Sequence, residues 1–263
     1  MQRLTPCFVR IAFVWSALSG LPLLQHRTVN AQESTAAQAE VIEQTPIPPA
    51  RAKYMGRMIA QTMSFHGAPW LIRETREQEE RPSEVLKQLQ LKPGLTVCDL
   101  GCGNGFYALL MAAQVGETGQ VLAVDIQPEM LHLLELRCEQ AGVENVKPVL
   151  GTVVDPNLPQ NKVDLVLLVD VYHEFSHPAL MLRNIRDSLS DTGVIALLEY
   201  REEDRTVPIK PLHKMSKRQI VKEYSANGLR VARQYDGLPW QHLMFFERDP
   251  TWTPKNYSAP DDE

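Results

Sequence analysis

Between residues 81 and 247, short apolar runs rich in β-branched residues alternate with longer amphipathic stretches. The apolar runs have the length of buried strands, and the amphipathic stretches carry apolar residues at helical spacing. Two strands joined through a helix pair in parallel, because the helix returns the chain to the same end of the sheet. The alternation therefore predicts an α/β fold with helices on both faces of a mostly parallel sheet. Its five expected strands lie at residues 94–100, 120–126, 145–151, 163–171 and 192–200.

The last part of this region departs from the alternation. Residues 229–249 hold two apolar runs around the turn Asp236-Gly237-Leu238-Pro239, with no helix between them. Two strands joined by a tight turn pair in antiparallel fashion and belong at a sheet edge. We therefore predict a Rossmann-like, doubly wound, seven-stranded sheet with a C-terminal antiparallel hairpin. Helices are expected at 81–91, 106–116, 127–142 and 216–228 and from Pro178 onward.

The N-terminus has the plan of a secretory signal peptide. Arg3 and Arg10 precede an apolar run at 11–24, which is too short to span a bilayer. Small residues at Val29 and Ala31 then suit cleavage after residue 31. We expect residues 1–31 to be a signal peptide and the protein to be exported, in a periplasmic location. Two alternatives stay open: an uncleaved segment that anchors the protein to a membrane, or a true start further along and a cytoplasmic protein.

Charge and composition narrow the partners. The sequence has 27 Lys and Arg against 32 Asp and Glu; three of the arginines lie in 1–31, so the mature chain has a net charge of −8. Such a balance argues against a nucleic-acid partner held through phosphate contacts. The mature chain keeps Cys98, Cys102 and Cys138, which form neither a disulfide framework nor a zinc pattern. Residues 32–50 and 248–263 are expected to be a disordered linker and a disordered tail.

A glycine-rich turn follows the first predicted strand. It reads Asp99-Leu100-Gly101-Cys102-Gly103-Asn104-Gly105, and the next strand ends at Asp125. Alternating glycines let the backbone approach a ligand, and a carboxylate after the next strand can accept hydrogen bonds from two ribose hydroxyls. In doubly wound sheets, ligands bind at these carboxyl ends of the strands. The pattern favours a nucleoside-bearing cofactor, although the spacing G-x-G-x-G differs from the dinucleotide fingerprint G-x-G-x-x-G.

The motifs "VCDLGCGNG", "VLAVDIQPEML" and "VDLVLLVDVYHEF" resemble successive motifs of class I S-adenosylmethionine-dependent methyltransferases. The resemblance covers about residues 81–247 and implies S-adenosylmethionine as the cofactor and a small-molecule acceptor. It also implies that residues 51–80 form an N-terminal helical cap over the active site. The implied cofactor-binding residues are Asp99 beside the glycine loop, Gly101, Gly103 and Gly105 around the methionine and ribose, Asp125 on the ribose, Ile126 against adenine, and Asp170 near the amine.

One position departs from the family pattern. Members often have an acidic residue after the third strand that reaches the adenine amine, but this chain has Thr152 there. Thr152 can accept one hydrogen bond, and Asp155 is an alternative. Asp99 and Asp125 also have purely structural alternatives, as caps of the loop and of the following helix.

The stretch "VYHEFSHP" contains H-E-x-x-H, the spacing of zinc proteases. That motif works only within a helix, yet Pro178 is a residue that starts helices and breaks their interiors. The motif therefore lies in a loop after a strand. We expect Tyr172, His173 and Glu174 to be the catalytic residues, with His173 as base; a purely structural histidine is the alternative. His177 or Ser176 is expected to cap the helix.

No resident metal is expected, although a divalent cation held by Asp170, His173, Glu174 and Glu199 is conceivable. Glu199 and Arg201, at the end of a strand, face the same site or pair with each other. Residues 207–215 follow that strand, and Lys210, His213 and Lys214 could attract an anionic acceptor. The leading hypothesis is a methyltransferase; the alternatives are a nicotinamide-dependent oxidoreductase and a non-catalytic S-adenosylmethionine-binding module.

Overall fold

A computed structural model describes residues 46–254 of the chain. The predicted signal peptide and most of the predicted linker and tail lie outside these residues. Within them, no helix is long and apolar enough to cross a membrane.

The strands are β1 Lys53–Tyr54, β2 Arg57–Met58, β3 Thr96–Leu100, β4 Gln120–Asp125, β5 Val146–Leu150, β6 Val163–Val169, β7 Leu189–Arg201, β8 Lys214–Met215, β9 Leu229–Tyr235 and β10 Gln241–Arg248. The α-helices are α1 Arg76–Glu80, α2 Pro82–Leu89, α3 Phe106–Val115, α4 Pro128–Ala141, α5 Pro178–Ser188 and α6 Lys217–Ala226.

The central sheet confirms the predicted fold class. Its strand order is β5-β4-β3-β6-β7-β10-β9, and the five strands from β5 to β7 in this order are parallel. The last two strands form the predicted antiparallel hairpin, with β10 antiparallel to both β7 and β9. The short strand β8 adds an eighth member by pairing with β7. The order reverses between β3 and β6, which places a crevice at their carboxyl ends.

Helices cover both faces of this sheet. Strand β6 shows why, because its successive residues face opposite sides and nearly all are buried. Leu165 and Leu167 pack with α2, α3 and α4, while Val166 and Leu168 pack with α5 and α6. The two apolar layers hold the strand ends in fixed positions, and the functional residues follow those ends.

The segment before the sheet is mixed in structure rather than wholly helical. It begins with the β1–β2 hairpin, continues through a 3-10 helix at Phe65–Ile72 and ends in α1. The hairpin is fixed to α6, where Arg57 Nε lies 2.8 Å from Glu223 Oε1 in a nearly solvent-free ion pair. Arg57 also donates to the backbone oxygen of His173 at 2.9 Å. This segment therefore holds the loop that follows β6.

The first residues of the predicted tail pack on the domain. Asp249 donates its backbone N–H to Gly228 O at 2.9 Å. The Arg186 guanidinium lies 4.5 Å from the centre of the Trp252 ring. The folded domain therefore extends a few residues past the predicted boundary at 247.

The buried ion pair generates a stability prediction. Replacing Arg57 by Met leaves the Glu223 carboxylate buried without its cation, so unfolding in urea should show a loss of about 3–5 kcal/mol. The exposed pair Arg230–Glu247 is the control, since Arg230→Met should cost less than about 1 kcal/mol. Equal losses in the two variants would contradict the structural role assigned to Arg57.

Candidate active site

A cavity of about 540 Å³ opens at the carboxyl ends of the parallel strands. Its size suits a small ligand or cofactor. One end is formed by the turn after β3 and the end of β4, and the other by the loop after β6 and residues 208–213. The N-terminal segment covers it. Among the predicted site residues, those that line the cavity are Gly101, Gly103, Asp125, Ile126, Thr152, Asp170, His173 and Glu174.

The glycine turn has the geometry that its sequence predicts. Gly101 and Gly103 have φ angles of +72° and +53°, a region that L-residues with side chains rarely adopt. A Cβ on Gly103 would lie 2.4 Å from Leu71 Cδ1 of the covering segment. The turn therefore presents bare backbone to the cavity. Gly105 does not line the cavity; it precedes α3 and packs beneath Leu134.

Asp125 links the glycine turn to the end of β4. Its Oδ2 accepts from Gly103 N–H and its Oδ1 from Gln127 N–H, both at 2.9 Å. Burial raises the pKa of Asp125, while these backbone donors lower it. Each carboxylate oxygen keeps a second lone pair, so Asp125 can still accept from two hydroxyls. The neighbouring Ile126 is 38% exposed in the cavity wall, as an apolar surface for a flat ring.

Asp99 is in β3, two residues before Gly101. It is 3% exposed and does not line the cavity. Burial raises the pKa of Asp99 to about 7, although the Ala108 N–H and the Arg76 guanidinium lower it. One of its oxygens, Oδ2, has no hydrogen-bond partner among the described residues. Asp99 is therefore a buried residue outside the cavity lining.

Asp170 lines the cavity and has one carboxylate oxygen without a partner among the described residues. It follows β6 with a φ of +50°, and its Oδ2 accepts from Gln241 Nε2 at 2.6 Å. Its Oδ1 is buried and has no partner within residues 46–254. A buried acceptor without a donor is unfavourable unless a ligand supplies one. An ammonium group in the cavity would do so.

Thr152 lines the cavity, but its hydroxyl is engaged within its own turn. It accepts from Asp155 N–H at 2.9 Å. The Asp155 carboxylate accepts from Asn157 N–H at 2.8 Å and does not line the cavity. The cavity wall therefore has no carboxylate at this position for an adenine amine, because Thr152 carries a hydroxyl and Asp155 lies outside the wall.

The covering segment adds charged residues that the sequence motifs do not reveal. Arg76 is 5% exposed, and its Nε lies 2.7 Å from Glu80 Oε2. Tyr200 at the end of β7 donates its hydroxyl to Glu80 Oε1 at 2.6 Å. Arg73 pairs with the same carboxylate. All four line the cavity between the glycine turn and the loop after β6, and so give that wall a buried, hydrogen-bonded polar network.

His173 is the centre of the polar cluster at the other end. Its Nδ1 lies 2.7 Å from Glu199 Oε2, and its Nε2 lies 3.0 Å from His213 Nδ1. Burial by itself would lower the pKa of His173, but the Glu199 carboxylate raises it above its ordinary value. Both oxygens of Glu174 accept from Met63 N–H at 3.2 Å, and burial raises the pKa of Glu174 to about 7.

Tyr172 and His177 do not join this cluster. The Tyr172 ring is fully buried, and its hydroxyl donates to Glu223 at 2.7 Å on the far side of the loop. His177 bonds to Ser176 Oγ and to Pro48 O, and it makes no side-chain bond that caps α5. Residues 172–174 form a 3-10 turn and α5 begins at Pro178, as the proline predicts. H-E-x-x-H is therefore not helical here, and a protease-type zinc site is absent from it.

The family model described as "Methyltransferase domain" matches residues 91–243, more than half of the chain. The chain belongs to this methyltransferase family. A solved S-adenosylmethionine-dependent methyltransferase from Aquifex aeolicus superposes with a TM-score of 0.67 at 26% identity, covering 70% of this chain and 98% of that one. S-adenosylmethionine is accordingly the cofactor of this family. The bare backbone of the turn at Gly103 and the unpartnered Asp170 oxygen fit such a ligand.

Two curated relatives are similar over a shorter stretch. A demethylmenaquinone methyltransferase of Listeria welshimeri is 27% identical over 116 residues, which are 44% of this chain and 49% of the relative. A protein-L-isoaspartate O-methyltransferase of Methanococcoides burtonii is 31% identical over 114 residues, or 41% and 51% of the two chains. The chain thus spans about half the length of these methyltransferases.

Asp99 provides a pH-dependent prediction. Its pKa of about 7 in the fold exceeds the ordinary 3.8, so the folded state holds this proton more tightly than the unfolded state. Its contribution therefore lowers stability as pH rises from about 4 to 7, by up to about 4 kcal/mol. In Asp99→Asn this contribution is gone, so the variant should gain stability relative to the wild type across that window in urea titrations. A constant difference between the two proteins at all pH values would contradict the assignment.

Proposed function

We propose that the protein transfers the methyl group of S-adenosylmethionine to a nucleophilic atom of a small-molecule acceptor. The observation that carries this proposal is one continuous cavity that runs from the glycine turn and Asp125 to the cluster around His173. A donor bound at the first end and an acceptor at the second would meet near Asp170. Holding two reactants in line in this way supplies most of the rate of a methyl transfer.

The residues at the donor end have complementary tasks. The bare backbone of Gly101 and Gly103 allows close approach, Asp125 accepts from the ribose hydroxyls, and Ile126 packs against the adenine. Asp170 Oδ1 accepts from the ammonium group of the methionine part. Because Thr152 bonds within its own turn, recognition of adenine rests mainly on shape and apolar contact with Ile126.

His173 is the residue that we propose activates the acceptor. The Glu199 carboxylate accepts from Nδ1–H, which makes Nε2 the basic nitrogen of the ring. Nε2 lies 3.0 Å from His213 Nδ1, so the bound acceptor would take the place of His213 at this nitrogen. In the simplest transfer, Nε2 takes the proton of the acceptor's hydroxyl or amine. The acceptor's oxygen or nitrogen then forms a bond to the methyl carbon as the S–CH₃ bond breaks. The electron pair stays on sulfur, and S-adenosylhomocysteine leaves as product.

The walls at this end suggest the class of acceptor. Met63, Phe175, Met181 and Ile209 provide apolar surface, and Lys210 adds a positive charge at the rim. These groups suit a compact apolar molecule with an acidic or ionisable hydroxyl. The relative named demethylmenaquinone methyltransferase, whose name denotes a quinone-type substrate, supports the same choice. We therefore propose an aromatic hydroxyl compound as acceptor.

The donor site is tested by titration calorimetry on the purified full chain. The wild type should bind S-adenosylmethionine and S-adenosylhomocysteine saturably, one per chain, and should not bind NAD. In Asp125→Asn an acceptor oxygen is replaced by a donor, so affinity should fall by about 10–100-fold. Asp155→Asn is the matched control, because this carboxylate lies outside the cavity, and its affinity should match the wild type.

A second measurement follows methyl transfer itself. Release of S-adenosylhomocysteine should rise when aromatic hydroxyl compounds are supplied and should fall in His173→Ala. Binding of NAD instead of S-adenosylmethionine would favour an oxidoreductase. Tight donor binding without product release across acceptor panels would favour a non-catalytic binding module.

We also propose export of the protein, on the charge and length pattern of residues 1–31. Sequencing the N-terminus of the protein isolated from its native host should then find a chain that begins just after Ala31. A chain that retains these residues would support a membrane anchor instead.

A further inference from the structure

His173, Glu174 and His213 form a compact group of metal-ligating side chains at the acceptor end. Their ligand atoms all lie within 4.8 Å of one another. His173 and Glu174 come from the 3-10 turn after β6, whereas His213 ends the 3-10 helix Pro211–His213 and reaches them across 40 residues of chain. All three line the cavity. We infer that this group binds one first-row divalent transition-metal ion and that the ion is a binding point for the acceptor.

The spacing of the two imidazoles fits a shared ion. Nε2 of His173 and Nδ1 of His213 are 3.0 Å apart. Two nitrogens at about 2.1 Å from one ion are about 3.0 Å apart at a right angle and about 3.4 Å apart at a tetrahedral angle. Glu174 Oε1 lies 3.9 Å from His173 Nε2. A small rotation of the Glu174 side chain would shorten this distance to the separation of two ligands on one ion. In the metal-free protein a proton lies between the two nitrogens, and the ion replaces it.

Glu199 supplies the outer partner that a metal-binding histidine needs. It is fully buried, and its carboxylate accepts from both His173 Nδ1–H at 2.7 Å and His173 backbone N–H at 3.2 Å. A carboxylate on the far nitrogen fixes the ring and leaves Nε2 with a free lone pair. Glu199 is not one of the three ligands, and its contact with His173 Nδ1 is a further observation that favours a metal.

The donor set indicates which ions fit. Two imidazoles and one carboxylate suit Zn²⁺, Fe²⁺ or Mn²⁺, whereas Mg²⁺ and Ca²⁺ prefer oxygen ligands throughout. Three protein ligands leave at least one coordination position, and here that position faces the cavity. An oxygen of the acceptor can occupy it. This inference deepens the proposed function, and the role of the ion in acceptor binding rests on that function. With the ion bound, the ion rather than His173 activates the acceptor hydroxyl: it lowers the pKa of the hydroxyl, whose proton leaves to solvent.

The H-E-x-x-H stretch therefore carries metal-binding residues without the protease geometry. Its first histidine and its glutamate belong to the group, but His177 is replaced by His213 from a distant loop. A four-residue site containing Asp170 and Glu199, as the sequence allows, is not what the structure assembles. Asp170 bonds to Gln241, and Glu199 acts as a positioning residue behind His173.

The test is metal titration of the full-length protein after treatment with a chelator. Calorimetry with Zn²⁺ should show one saturable site, and Co²⁺ should give visible absorption bands of a histidine–carboxylate complex without the near-ultraviolet band of thiolate ligation. His213→Ala removes a ligand and should weaken Zn²⁺ affinity by more than about 100-fold, and Glu199→Gln by about 10–100-fold. His132→Ala is the matched control, because His132 is exposed on α4 beside Glu135; its affinity should not change.

The affinity of each variant for S-adenosylmethionine shows that its fold and donor site are intact and separates the two proposals. No saturable Zn²⁺ site in a wild type that binds S-adenosylmethionine would overturn the metal inference and leave the proposed function standing. A thiolate spectrum, or an equal loss in His213→Ala and His132→Ala, would overturn it as well. Failure of S-adenosylmethionine binding in a protein that binds the metal would instead remove the proposed function.

Discussion

The hydrogen bond between Gly103 N–H and Asp125 is the contact on which the rest of the site depends. It ties the turn after β3 to the end of β4, two neighbouring parallel strands. Gly103 makes this bond with a φ of +53°, a conformation that residues with side chains rarely adopt, and an added Cβ would lie 2.4 Å from Leu71 Cδ1. A single residue thus joins the sheet, the turn and the covering segment, and the donor end of the cavity takes its shape from them.

The acceptor end depends on a different support. Arg57 pairs with the buried Glu223 and donates to His173 O, while Ala60 N–H donates to the same oxygen at 3.1 Å. Behind the ring, Glu199 at the end of β7 fixes its orientation. The His173 backbone is therefore held by the N-terminal segment, which Glu223 anchors to α6, and the His173 ring is held from the sheet by Glu199. Such a ring has one orientation, which both proton transfer and metal binding require.

Much of this could be predicted from the sequence, because it depends on periodicity and local turn chemistry. The strand–helix alternation predicted the fold class, and the alternating glycines and Asp125 predicted residues that line the cavity, namely Gly101, Gly103 and Asp125. The remaining features depend on tertiary contacts. In the 3-10 turn at 172–174, Tyr172 points away from the cavity whereas His173 lines it, and no spacing in the sequence distinguishes the two residues. Arg76 and Glu80 lie in a helix of five residues, too short for a periodic signal, and His213 meets His173 only because the loop after β7 folds back.

The most direct measurement of the central claim is a crystal structure of the protein with S-adenosylhomocysteine. The account predicts the ligand along the glycine turn, its ribose hydroxyls within hydrogen-bonding distance of Asp125 and its amino group on Asp170 Oδ1, with the sulfur directed to the His173 end. A ligand bound elsewhere, or a turn around Gly103 that makes no contact with it, would contradict the account.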